Sequence, residues 1–429
     1  MIIIGIAVRL VLGYLLTYNY DVYHWALTIS NFEAGNGLYE VAGYYYSPVW
    51  GYILGVFSQF TGLFGVDLLG DRFAEMLFTE EYTNFYRNTA FVTTPAFNTA
   101  VTVMLTLFDL LNAYLIFWIV REVFGDVQKA RMCFALWFIC AFVIVVGATG
   151  GMFDTISATF VLLCIATLIK GQEFIAGAMF ASAVLLKFFP VFMVFILVAY
   201  ILVKHNKAGI LRIAKAIIGA LAIFAVVMLP PIMDGHLGDS FSFLSARATG
   251  AVELIDILMS IDGLVVYTLI MIAEAFIAVL FLKTEHDDID KGFLWFAFIA
   301  IAIVFLNPSS PQYILVMAPL LIIMMVCKER MLRIPFAILC VGTSLYALSP
   351  IVMDLSSMTM YGGAIPFESW SDMFLSFESK FMGISGLDLW SIISGIIQYT
   401  GIVAIAAIII KKQFPRRRTE SGNDREISE

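Results

Sequence analysis

The sequence predicts an all-α polytopic membrane protein of about twelve transmembrane helices, with a long first outer loop that carries re-entrant or juxtamembrane helices. Three observations predict it. Of the 429 residues, 61% are hydrophobic and only 14% are charged, whereas a soluble domain carries roughly a quarter charged residues. Apolar runs of about 16–25 residues recur from one end to the other, the length at which a helix crosses a bilayer. The alternating pattern of a membrane β-barrel is absent from the sequence.

The runs taken as spans are 2–18, 97–120, 132–149, 154–169, 174–187, 188–203, 209–231, 263–282, 292–306, 312–327, 334–350 and 390–410. The first is taken as a span and not a cleavable leader, because no basic segment precedes it and no small-x-small cleavage site closes it. One more run, 48–65 (PVWGYILGVFSQFTGLFG), is ambiguous, and charge decides it. If it lies re-entrant or on the surface within one outer loop, 19–96, the loops at 121–131, 170–173, 204–215, 283–291 and 328–333, with the tail from Lys411, all become cytoplasmic. They then hold 19 of the 25 Lys and Arg residues, as the positive-inside rule requires. The acidic residues fall largely outside. Residues 1–410 read as one transmembrane domain with further outer loops at 232–262 and 351–389. Residues 411–429 read as a disordered cytoplasmic basic tail suited to anionic lipid. The five cysteines, Cys133, Cys140, Cys164, Cys327 and Cys340, lie in or at the ends of apolar runs and read as small buried hydrophobes.

Ionisable groups at membrane depth are costly, so each needs a reason. Arg9, midway along the first span, either packs between helices or reaches a lipid phosphate. Lys187 lies in LLKFFP, where two short spans meet at a break that Pro190 fits. It either snorkels to the outer surface or meets a phosphate as a point charge. Asp154 follows the glycine turn of GATGGMFD at the start of a helix, where an acid also suits the helix dipole. Arg247, the lone basic residue of the 232–262 loop, either clamps a phosphate or pairs with Glu253 or Asp256. In NPSSPQY, Gln312 offers the donor and acceptor that sugar hydroxyls need, and Tyr313 stands beside it. Asp21, in NYDVYHWA just past the first span, is a carboxylate among rings that favour interfaces. An acid, two cations at phosphate depth and a sugar-competent amide on one face suit chemistry on a lipid phosphate.

In order along the chain come DVYHWA, GNGLY (Gly35 to Tyr39), YYYSP (Tyr44 to Pro48), GGMFD, LLKFFP and SPQY. This series resembles the lipid-phosphosugar-dependent glycosyltransferases of the C superfamily, nearest to polyprenyl- or dolichyl-phosphate-mannose-dependent mannosyltransferases. The resemblance covers about 15–320. It implies Asp21 as catalytic base, Asp154 as lining the site and Lys187 near the donor phosphate; beside it, Arg247 reads as a second phosphate-binding cation and Gln312, Tyr313, Tyr23 and Tyr46 as further substrate-binding residues. The chain departs from the pattern in having Met152-Phe153 before the second acid and a first acid that stands alone. The implied activity is inverting transfer of a sugar, mannose by resemblance, from a polyprenyl-phosphate donor to a hydroxyl of a glycan, glycolipid or protein on the extracytoplasmic face. The membrane would be the plasma membrane, or the endoplasmic reticulum in a eukaryote. Membrane lipids are partners and nucleic acid is not. No cofactor is expected and the scheme requires no metal. The rival class is a transporter or lipid flippase, which would favour inverted repeats; the sequence has none.

Overall fold

The computed structural model describes residues 1–40, 44, 46–65, 68, 93–242, 263–306, 311–348 and 389–413. Every element in these residues is helical. In chain order they are α1 (Ile2–Leu15), α2 (Asn19–Glu33), α3 (Pro48–Gly62), α4 (Pro95–Phe124), α5 (Val127–Ile139), a π-helical segment (Val143–Thr149) and α6 (Asp154–Ile169). Next come α7 (Glu173–Leu186), a 3-10 turn (Phe189–Met193), α8 (Val194–His205) and α9 (Gly209–Met233). The series closes with α10 (Gly263–Lys283), α11 (Ile289–Val304), α12 (Ile314–Cys327), α13 (Arg333–Ala347) and α14 (Leu389–Gln413).

Each of the twelve expected spans coincides with a helical stretch. Against about twelve expected, five stretches are long and apolar enough to cross a membrane: Pro95–Phe124, Phe189–Met233 (which joins two expected spans), Val265–Lys283, Arg330–Ala347 and Ile392–Gln413. A sixth is the bent pair Val127–Ile139 and Val143–Thr149, with 60° between its halves. Ile2–Leu15, Asp154–Ile169, Glu173–Leu186 and Ile314–Cys327 are apolar but shorter. Large apolar side chains such as Ile3, Ile210, Val226, Met233 and Ile334 face outward. Outward apolar faces on long helices are what a lipid solvent, not water, accommodates. The chain is a membrane protein on these grounds.

Local sequence explains the boundaries. Thr94 caps α4, its hydroxyl accepting from the Phe97 amide at 3.1 Å, and Pro95 takes the first helical position. Asp126 caps α5 in the same way through the Gln128 and Lys129 amides. The run 48–65 forms α3, which opens on Pro48 and buries Trp50 and Leu54. Its Tyr52 hydroxyl reaches the Val227 carbonyl at 3.4 Å. Pro231, four residues on in α9, has no amide to give that carbonyl, so α3 supplies the donor that the proline removes. Helices α7 and α9 pack closely along each other, because Gly177 lies against the Ala216 carbonyl and Gly219 against the Phe174 carbonyl. A side chain at either glycine would push the helices apart.

Arg9 does not reach a lipid phosphate. Its guanidinium is fully buried and pairs with Asp109 of α4 at 3.0 Å. It also donates to the Phe138 carbonyl at 2.8 Å and lies 4.4 Å from that residue's ring centre. Asp109 in turn accepts from the Thr155 hydroxyl at 2.6 Å. At this depth a carboxylate with two donors is a cheaper partner for the cation than withdrawal to the surface. The pair ties α1 to α4.

Candidate functional site

The sequence motifs meet through a few contacts. The Trp25 ring of DVYHWA is buried rather than interfacial, and its indole N–H donates to the Gly151 carbonyl of GGMFD at 3.0 Å. Gly151 has φ +74°, a left-handed conformation that suits glycine. A Cβ there would lie 2.5 Å from Val22 of α2, and one at Gly150 would lie 2.7 Å from the Val146 carbonyl. The two glycines therefore let the turn close and let α2 lie against it. GNGLY and YYYSP are joined by the Tyr39 hydroxyl, which donates to the Tyr46 carbonyl at 2.7 Å. The Tyr44 hydroxyl accepts from the Gly51 amide and donates to the Ser47 carbonyl, both at 2.8 Å, fixing this segment to the start of α3.

Lys187 is the hub. The break expected at LLKFFP is present: α7 ends at Leu186, Lys187 is extended (φ −142°, ψ 131°), and the 3-10 turn begins at Phe189. Lys187 does not snorkel to the surface. It is 4% exposed, and its ammonium lies 3.3 Å from Oδ2 of the fully buried Asp154. Three rings face the same ammonium: Phe153 at 4.1 Å, Tyr46 at 5.1 Å and Tyr313 at 5.2 Å. Aromatic faces attract a cation, and more strongly once it is desolvated. Tyr313 is held by Phe189 at 4.5 Å between ring centres, so SPQY and LLKFFP also meet.

Asp21 stands in the first turn of α2, half-buried. Its carboxyl is raised from 3.8 to about 6, first by burial. The nearby Lys187 pulls it down and the nearby Asp154 pushes it up. Two acids and one cation from three separated segments thus share one electrostatic neighbourhood. Tyr23 lies two residues from Asp21 with its ring against His24 at 5.0 Å. Gln312 is half-buried in the turn that carries Tyr313. Arg247 lies outside the described residues.

Sequence reasoning missed the walls of this cluster. Phe153 stacks on Trp50 at 4.8 Å, and Trp25 meets both edge-on at 5.4 Å. The signal was available, since Trp25 and Phe153 stand inside the two motifs already singled out. An apolar cavity of about 460 Å³ adjoins the cluster. It runs between α7, α8 and α9, from Tyr46, Ser47 and Phe188 at one end to Ile201 and Ile213 at the other. From Ile213 to Phe224 it follows α9 for about 17 Å, roughly half the hydrocarbon thickness. Tyr46 belongs to both the cavity and the cage around Lys187. The arrangement offers a carboxylate titrating near neutrality, a caged cation and an apolar channel leading to it. Comparison of the chain with protein-family models and with curated proteins gives no match.

Proposed function

We propose that the chain is an inverting glycosyltransferase that moves a sugar, mannose in the first instance, from a polyprenyl-phosphate donor to an acceptor hydroxyl. In this proposal it has about twelve spans, resembles the C superfamily in fold and works at the extracytoplasmic face. The observation that carries the reading is the convergence of Asp21, Asp154 and Lys187 beside an apolar cavity. A lipid-linked sugar phosphate has three parts: an anion, a polar sugar and a long hydrocarbon tail. The caged ammonium suits the first, the carboxylates with Tyr23, Tyr46, Gln312 and Tyr313 the second, and the cavity the third. Hydrocarbon in such a channel gains roughly 25 cal/mol for each Å² removed from water.

The chemistry needs few groups. Asp21 takes the proton of the acceptor hydroxyl as that oxygen attacks the anomeric carbon. The bond from carbon to the phosphate oxygen breaks, and the pair of electrons leaves with the phosphate. A carboxylate whose pKa lies near 6 is mostly ionised at neutral pH and still basic enough to assist. Lys187 steadies the departing charge, sharing its ammonium between the phosphate and Asp154. A single displacement inverts the centre and needs no second catalytic carboxylate as nucleophile. Purified protein in lipid, given radiolabelled polyprenyl-phosphate mannose and membrane acceptors, should move label to a new covalent product. Label that stays wholly on the polyprenyl lipid sinks the proposal.

One observation favours the rival transport reading. Glu274, midway along α10, is fully buried, and among the described residues neither carboxyl oxygen has a hydrogen-bond partner. A lone acid at that depth is a feature of ion and proton pathways. Vesicle uptake of solute without covalent transfer would support it.

A further inference from the structure

Four of the five cysteines meet in pairs along one seam. Cys133 lies in α5 and Cys140 caps its C-terminus. Seven residues apart, they fall on one helix face about two turns from each other. Cys140 Sγ is 3.5 Å from Cys340 Sγ of α13. Cys133 donates its thiol to the Ile322 carbonyl of α12 at 3.9 Å, near Cys327 at the end of the same helix. All are free thiols. The residue types alone gave only small apolar fillers; the pairing exists because α12 and α13 each bring one cysteine to the face that α5 presents.

The position of Cys140 is the informative part. It is the extended residue (φ −64°, ψ 125°) at which the run bends by 60° into the π-helical segment. That segment leads directly into the turn that carries Phe153 and Asp154. Cys140 is 8% exposed, out of reach of reagents in water, while Cys340 is half-buried beside Val341, which is 52% exposed on an apolar face. The apolar surface beside Cys340 suits approach by a lipophilic reagent.

We propose that Cys140 and Cys340 form a redox modification site, a dithiol that closes to a disulfide and pins the bend behind the polar cluster. The oxidant is a lipophilic two-electron acceptor, a quinone or a diazene. Each thiol gives up its proton, the sulfurs form one bond, and the two electrons and two protons pass to the acceptor, which leaves as a quinol or a hydrazine. The sulfurs must close from 3.5 Å to the bonded distance, a movement of about 1.5 Å that side-chain rotation and slight helix adjustment can supply. The inference does not depend on the glycosyl-transfer reading.

The test is to treat the purified protein in lipid with diamide, a membrane-permeant diazene. Thiols are then counted after denaturation and the unreduced digest is analysed by mass spectrometry. The expected result is a linked peptide pair containing Cys140 and Cys340, with two thiols lost for each pair closed and recovered with dithiothreitol. Cys340→Ser should lose that link and leave Cys140 as a free thiol. Oxidation should also raise the unfolding temperature of the wild-type chain more than that of Cys340→Ser. Retention of all five thiols by the native protein, a Cys140 link to another cysteine, or an equal temperature shift in both proteins would overturn the proposal.

Discussion

Removing the cation from the Lys187–Asp154 pair gives the sharpest energetic prediction. Both side chains are almost wholly buried, at 3% and 0% exposure, and 3.3 Å apart. At an effective dielectric near 20 their attraction is about 5 kcal/mol, and loss of one member of a buried pair costs about 3–5 kcal/mol. Lys187→Met keeps the stem's volume inside the cage of Phe153, Tyr46 and Tyr313, so the charge is the main loss. Asp154→Asn should cost less, about 2–3 kcal/mol, because the amide oxygen still accepts from the ammonium. The double variant, with neither charge stranded, should lose well under the sum of the two single losses. Denaturant titration of the four proteins in one detergent, followed by Trp fluorescence, measures the cycle. Additive losses within about 0.5 kcal/mol, the behaviour of uncoupled sites, would refute the pairing. In the proposed mechanism the stable double variant should still fail to use the donor, which separates stability from function.

Three further outcomes follow from the same contacts. With Asp21 near 6, the basic form makes up about nine-tenths of the protein at pH 7 and one-tenth at pH 5, so transfer should fall about tenfold between them; a flat profile across pH 5–7 removes Asp21 as the base. Trp25→Phe keeps a ring against Trp50 and Phe153 but loses the bond to the Gly151 carbonyl. It should cost about 1–3 kcal/mol in stability, and circular-dichroism melts showing no loss would mean that α2 is held elsewhere. Arg9→Ala leaves Asp109 buried without its cation and should destabilise by about 3–5 kcal/mol; a change under 1 kcal/mol in denaturant titration would make the pair incidental.

Helices were the most legible part of the chain, because lipid-length apolar runs and proline or glycine breaks are local features. Leu186-Lys187 ends α7 where LLKFFP says it should, and the Gly150-Gly151 turn falls where the doublet stands. What the sequence could not carry was partner choice across distant segments. Arg9 finds Asp109 one hundred residues away, in the middle of a helix whose sequence gave no hint of the acid's purpose. Lys187 was legible as an exceptional cation but not as a caged one, since its rings come from Tyr46, Phe153 and Tyr313, far apart in the chain. Trp25 looked interfacial because of its rank among membrane residues. The close glycine turn at Gly151 is what draws it inside. The cysteines show the same limit: no spacing rule links Cys140 to Cys340, which two helix packings bring together.

The central claim is that Asp21 performs the proton transfer in a site that also holds a lipid donor. Asp21→Asn tests it most directly, because the amide keeps the shape of the side chain and removes the base. Purified Asp21→Asn in lipid should bind a polyprenyl-phosphate sugar with affinity within about threefold of wild type, while transfer of labelled sugar falls by about 10²–10⁴, the range of a lost general base. Turnover within about threefold of wild type would contradict the account.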